Sequence, residues 1–242
     1  MSNIEHTVKH YYQPTNHTCS QSALAILLSF FGKSLTPEEI AAKIPVNKND
    51  KGEDWGSINQ QLATWCLSQG FEVDIYTADF EIIDLSWIKL TKETLLERME
   101  LAKDHREVPS LGKEWSKIYT QSYIDFLNAG GELHLEPYMT TKLIDDLLPA
   151  SPLLLCVCYN VLYTSGRSKD IGLRKAETDD LNGKLTNHSI VIYGKDGDGN
   201  YLIADPYKEP GLHTIEPERL LAAMTAAQME CDNLLFQLKT RR

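Results

Sequence analysis

One stretch constrains this chain more than any other. The polar run Gln13-Pro-Thr-Asn-His-Thr18 leads into Cys19 and then into Ser20-Gln-Ser-Ala-Leu-Ala-Ile-Leu-Leu-Ser-Phe-Phe31, closed by Gly32. Ala23, Leu24, Ile26, Leu27, Phe30 and Phe31 cover nearly every side of a helix, so the helix has to be buried and other elements have to pack about it. Gly32, free to take a positive φ, predicts where it ends. Thr18 followed by Gln21 fits a capping box, with Thr18 as the cap and Cys19 in the first helical turn. There the free amide N–H groups and the aligned peptide dipoles favour a thiolate, one way of making a cysteine nucleophilic near neutral pH. Taken alone the cysteine says little, because this residue type is often buried and inert.

Two features downstream change its weight. Asn187-His-Ser-Ile-Val-Ile-Tyr-Gly194 reads as a strand opened by His188, and after the turn Lys195-Asp-Gly-Asp-Gly-Asn200 a second strand ends in Asp205-Pro206. Cysteine, then histidine, then a carboxylate closing the next strand is the chain order of a papain-like cysteine peptidase. In that chemistry the thiolate attacks, the imidazole relays the proton and the third residue orients the imidazole. A histidine opening an apolar strand is by default structural, and it is the combination with Asp205 and the Cys19 block that favours His188 as base. His17 shares a loop with Cys19, and His10, His134 and His213 lack a carboxylate in a following strand.

With Gln13 shortly before Cys19, a small-apolar helix ending at Gly32, and His188-Ser-Ile-Val-Ile and Tyr201-Leu-Ile-Ala-Asp205-Pro206 downstream, the chain resembles the bacteriocin-processing leader peptidases. These are papain-like domains found on peptide-exporting ABC transporters, with free-standing relatives. The resemblance covers these two blocks and not the middle of the chain. It implies Cys19 as nucleophile, His188 as base, Asp205 as its orienting partner and Gln13 as a side-chain donor in the oxyanion hole. The sequence departs from the family at Ser20, where glycine usually follows the cysteine, and in the wider separation of Cys19 from His188.

Composition narrows the partners. A net charge of −10 opposes binding to nucleic acid, and the basic residues gather only at Arg167/Lys169/Arg174/Lys175 and in the Lys239 to Arg242 tail. No apolar run is long enough to span a bilayer, Met1 to Tyr12 is polar, and no targeting segment is read there. Five cysteines, an odd number without paired spacing, read as reduced thiols in the cytoplasm. Neither a metal nor a cofactor is expected. Cys156 and Cys158 read as core, and the Asp196/Asp198/Asn200 run has tyrosines, Tyr201 and Tyr207, where a calcium loop needs glycine and glutamate.

Along the rest of the chain, Thr36-Pro-Glu-Glu39 predicts a capped helix to about Lys43, and Val46 to Gly56 a surface loop. Ser57 is expected to cap a third helix closed by Gly70, and Phe71 to Tyr76 to form a strand. Two amphipathic helices, the first capped by Thr91, make 84–131 a helical insertion. A short strand at Glu132 to Glu136, a helix at Thr141 to Leu148 and an apolar strand at Leu153 to Tyr159 follow. Residues 160–185 read as a long loop, Glu216 to Gln228 as a helix and Asn233 to Leu238 as a last strand.

The expected architecture is α+β of the papain-like kind, a single domain over 1–242 with the cysteine helix packed on a C-terminal antiparallel sheet. The expected activity is that of a cysteine peptidase-like hydrolase, or an acyl or peptidyl transferase, on a peptide or amide bond. The alternative is a non-catalytic peptide-binding module with the same cleft.

Overall fold

The computed structural model describes residues 3–49, 51–109, 111–172, 174–228 and 233–241. In chain order its elements are β1 (Ile4–Glu5), α1 (Cys19–Phe30), α2 (Pro37–Ala41), β2 (Asn47–Lys48), β3 (Asp54–Gly56), α3 (Asn59–Ser68) and β4 (Phe71–Thr77). A 3-10 turn (Leu85–Trp87) precedes α4 (Lys92–His105), α5 (Gly112–Asn128), β5 (Glu132–Leu135), α6 (Thr141–Leu147), β6 (Leu153–Cys158) and α7 (Tyr159–Leu162). The chain continues through β7 (Ser168–Gly172), β8 (Lys175–Thr178), β9 (Asn187–Lys195), β10 (Tyr201–Ala204), β11 (Leu212–Ile215), α8 (Pro217–Ala227) and β12 (Leu234–Thr240).

The main sheet runs β11-β10-β9-β6-β12-β4-β5, with β1 paired to the end of β9. Its pairings are antiparallel except for β5, which lies parallel to β4. Strands β6, β9 and β12 are apolar on both faces because both faces are covered. Leu154, Val191, Phe236 and Leu238 join the core around α1, α3 and α5. Leu153, Leu155, Ile190, Ile192 and Leu235 meet Ile144 of α6 and Leu220, Ala223 and Met224 of α8 on the other side. The architecture is α+β, with the cysteine helix on a mainly antiparallel sheet, as the sequence implied.

Helix α1 carries the site, and burial holds it. Leu24, Ile26, Leu27 and Leu28 are at most 1% exposed, and each such side chain contributes roughly 1.5–3 kcal/mol on burial. That outweighs the roughly 1 kcal/mol of an N-cap hydrogen bond, and the helix indeed begins without one. Thr18 is the N-cap residue, but its side chain caps nothing; its hydroxyl bonds Thr15 instead. The expected box with Gln21 is absent because Gln21 Nε2 donates to Ile44 O at 2.9 Å and to Ser57 Oγ at 2.7 Å, tying α1 to the segment ahead of α3. With Ser57 so engaged, Ile58 is the N-cap residue of α3. Gly32 ends α1 at φ 72°, as expected, and the box at Thr36/Glu39 forms in full.

Two expected loops carry structure. Within 46–56, β2 and β3 form a small hairpin, and 160–185 holds α7 and the β7–β8 hairpin. These strands are short, polar and exposed, so they lack the apolar alternation by which a strand is recognised. The 84–131 segment is helical as expected, with α4 packed on α5 and α5 on α3.

Candidate active site

Three elements converge at one end of the sheet. Helix α1 presents Cys19 as its first residue, β9 carries His188 opposite Val157 of β6, and β10 delivers Asp205 at its end. The β9–β10 hairpin sets the spacing of the last two, because Val191 pairs with Ala204. His188 Nε2 and Asp205 Oδ1 are 2.7 Å apart, and the imidazole also hydrogen-bonds the Cys19 sulfur. With Nε2 committed to the carboxylate, Nδ1 is the nitrogen that serves the thiol. Cys19 is partly exposed, whereas Cys66, Cys156 and Cys158 are buried.

Asp205 is fully buried, so protein donors replace all of its water. Besides His188, Oδ1 accepts from Tyr207 N at 2.7 Å and Lys208 N at 3.0 Å, and Oδ2 accepts from Tyr163 Oη at 2.5 Å. The corner is braced by Asp205 N on Gly211 O, by His10 Nε2 donating to Asp205 O, and by Gln13 N on Pro206 O, each at 2.8 Å. A Cβ on Gly211 would meet the His10 ring at 2.1 Å, so glycine is required there for close approach rather than for its φ. Tyr159 packs edge-on to the His188 ring, with centroids 5.6 Å apart, and Tyr207 lies at 6.3 Å.

The electrostatics favour an ion pair. Burial would raise the Cys19 thiol, but the hydrogen bond and positive charge of His188, the Ser189 backbone N–H and the Ser20 hydroxyl outweigh it, and the thiol lies below its ordinary value. Cys66, buried without such partners, is pushed up. Burial opposes the charge on His188 too, yet the Asp205 charge and hydrogen bond, helped by Cys19, raise it to about 10. Burial would likewise raise Asp205, but the charge and hydrogen bond of His188, with Tyr163 and Lys208 N, hold it well below the carboxylate range. The surroundings thus favour the charged forms of all three groups, thiolate, imidazolium and carboxylate, a nucleophile and acid pair of the kind that acyl transfer uses.

Behind Cys19 a buried polar track explains Ser20. Its hydroxyl bonds Ser189 Oγ at 2.9 Å, Ser189 Oγ lies 3.8 Å from Cys156 Sγ, and Asn59 Nδ2 donates to that sulfur at 2.8 Å. Gln13 is buried in the loop leading to Cys19, where Nε2 donates one hydrogen to Thr15 O at 2.7 Å. Cys19, His188 and Asp205 are thus joined by hydrogen bonds, and Gln13 is tied to them through the Pro206 carbonyl.

The β7–β8 hairpin touches the segments that flank the site, the one before Cys19 and the one after Asp205. Asp170 pairs with His17 at 2.9 Å and accepts from Asn16, immediately before Cys19. Arg174 stacks over Tyr12 at 5.0 Å and donates to Tyr207 O, while Tyr207 Oη donates back to Arg174 O. Sequence reasoning missed Tyr163, His10, Ser189 and the supporting place of His213, since each comes from a segment remote in sequence from the residue it touches. Among the described residues no cluster of three His, Cys, Asp or Glu side chains is placed to hold a metal ion, and no helix is long and apolar enough to cross a membrane.

Residues 5–100 match the model of the Peptidase_C39 like family. The match takes in Gln13 and Cys19 and stops before His188 and Asp205, and it bears out the resemblance read from the sequence. The chain is also similar to the crystal structure of a candidate C39-like peptidase from Bacillus anthracis, at 13% identity and a TM-score of 0.48, over 100% of this chain and 99% of that one. No curated protein matches it.

Proposed function

We propose that the protein is a thiol-dependent hydrolase of the cysteine peptidase kind, or an acyl or peptidyl transferase, acting on a peptide or amide bond. The observation that carries this reading is the hydrogen-bonded line from the partly exposed Cys19 through His188 to the buried Asp205. The thiolate adds to the substrate carbonyl, and the oxyanion so formed accepts from the Cys19 backbone N–H and from the free amide hydrogen of Gln13. His188 gives its proton to the departing amine as the C–N bond breaks, leaving a thioester. His188, now neutral, takes a proton from water or from a second amine as it attacks, and release of the acyl group restores the ion pair. Residues 1–242 act as one domain, with 84–131 an added helical wall, and the free cysteines fit a reducing, cytoplasmic setting.

The test is the pH dependence of Cys19 alkylation by iodoacetamide, followed by peptide mass spectrometry. Cys19 is expected to react readily near pH 6, where an ordinary thiol is almost wholly protonated. A rate that climbs tenfold per pH unit up to the ordinary cysteine value would overturn the reading.

Gln13→Ala should lower kcat by about two to three powers of ten with KM little changed, because an oxyanion donor acts in the transition state. Steady-state kinetics on any peptide that the protein turns over separates the two constants, and an effect confined to KM would remove Gln13 from the oxyanion hole.

The β7–β8 hairpin covers the cleft in this reading. Its anchors are Asp170 on Asn16 and His17, and Arg174 on Tyr12 and Tyr207, so it joins the segment before Cys19 to the segment after Asp205. A bound substrate analogue is expected to protect the exposed Lys169 and Lys175 from trypsin, and a short glycine-serine linker in place of 167–184 should change which peptides are accepted. Unchanged cleavage together with unchanged selectivity would leave the hairpin a mere connection.

A further inference from the structure

The triad does not end at Asp205. Its outer oxygen, Oδ2, accepts from Tyr163 Oη at 2.5 Å, and the same hydroxyl lies 2.8 Å from His213 Nε2. The direction of these bonds follows from the proton count. A carboxylate can only accept, so the single hydroxyl proton of Tyr163 goes to Asp205, and the phenol oxygen then accepts from an Nε2–H of His213. Tyr163 follows α7, and His213 lies in β11 opposite Ile203 of β10, so two segments remote from the catalytic block meet at the carboxylate. His213 is aligned by the same β10–β11 pairing that ends in Asp205.

We infer that Tyr163 and His213 are positioning residues of the site, extending the hydrogen-bonded line to Cys19–His188–Asp205–Tyr163–His213 so that the carboxylate is held in one rotamer and kept charged. This rests on the reading of Cys19 and His188 given above. Because Asp205 is fully buried, Tyr163 is the donor that satisfies Oδ2, and no water can take its place without a rearrangement. Other groups face the same carboxylate and stay in place when Tyr163 is changed. His188 and the backbone N–H groups of Tyr207 and Lys208 bind Oδ1, the His10 ring donates to the Asp205 carbonyl, the Tyr159 hydroxyl senses its charge, and the Lys208 ammonium sits 4.8 Å over the Tyr163 ring. Burial, with the Asp205 charge beside it, pushes the Tyr163 phenol well up, so it remains a donor throughout the working range.

The sign of the effect is fixed by this arrangement. Without the Tyr163 donor the buried carboxylate is less stabilised and takes up a proton at a higher pH. Once it is neutral, the imidazolium returns its proton to the thiolate, so the acid edge of Cys19 reactivity moves toward neutrality.

The experiment compares the pH–rate profile for iodoacetamide alkylation of Cys19 in the full chain and in Tyr163→Phe, His213→Ala and His213→Gln, with circular dichroism as the check on folding. Tyr163→Phe is expected to raise the acid edge by about one pH unit or more and to slow alkylation below it about tenfold or more, the scale of losing one hydrogen bond to a charged group. His213→Ala should shift it in the same direction by less, and His213→Gln, which keeps an N–H donor, should restore it. A folded Tyr163→Phe with the wild-type profile overturns the inference. If Tyr163→Phe does not fold, a His213→Ala profile identical to wild type overturns it instead. A lowered melting temperature with an unmoved acid edge means a structural role only and also overturns it. A wild-type profile typical of an ordinary thiol would defeat the functional reading itself, a result distinct from a reactive wild type with unmoved variants.

Discussion

Cys19→Ala is expected to reduce turnover by about four powers of ten or more while the fold survives, because removal of a nucleophile takes away the covalent route altogether. Structural damage should be small. Cys19 lies at the open first turn of α1, and the buried residues from Ala23 to Leu28 keep the helix in place without it. Its sulfur is 4.0 Å from the Ser20 hydroxyl, which keeps its stronger bond to Ser189. The check is residual turnover of a model peptide alongside a thermal melt. A well-folded Cys19→Ala protein that cleaves as wild type does would mean that the thiol is not the nucleophile.

Asp205→Asn should cost about three to four powers of ten in kcat, less than loss of Cys19 or His188, because an amide still orients the ring but cannot balance the imidazolium charge. The site can accept the amide. Its oxygen has to take the Oδ1 position, where His188 and the backbone N–H groups of Tyr207 and Lys208 all donate, which leaves the NH2 facing the Tyr163 hydroxyl. That hydroxyl can accept from the amide and donate to His213 once the imidazole takes the tautomer with Nε2 unprotonated. The loss is therefore one of charge, and pH reports it. Asp205 pushes His188 up to about 10 in the folded protein, so the imidazolium contribution to stability is expected to be fully present below the ordinary histidine value of about 6.5 and lost as pH rises through about 10. The Asp205 contribution has the opposite sense, present above the ordinary carboxylate value and lost as pH falls through its depressed one. In Asp205→Asn the alkaline limb of the kcat/KM profile should move down from about 10 toward neutrality. An unchanged alkaline limb and rate would show that Asp205 neither charges nor orients His188.

What was legible in the sequence was legible for local reasons. Hydrophobic spacing marked α1, β6, β9, β10 and α8, because a helix or strand with a buried face carries its period in its own residues. Gly32 marked the end of α1 because few other residues accept its φ of 72°. Cys19 at the helix start, His188 at a strand start and Asp205 at a strand end could all be placed on that basis, and so could the α+β layout.

The choice of polar partners was not legible, because a hydrogen bond depends on which group the fold brings near and leaves no period behind. Thr18 bonds Thr15 rather than capping α1, and Gln21 bonds Ile44 and Ser57 rather than closing a box, since burial already holds the helix and the neighbouring segment supplies acceptors. The parallel pairing of β5 with β4 was not legible because neither strand's own pattern says which neighbour it takes, and the β7–β8 hairpin rests on backbone pairing of polar residues that composition cannot distinguish from a loop. Tyr163, His10 and His213 gather around Asp205 from segments far apart in the chain, so the tertiary structure alone decided how the buried carboxylate is satisfied.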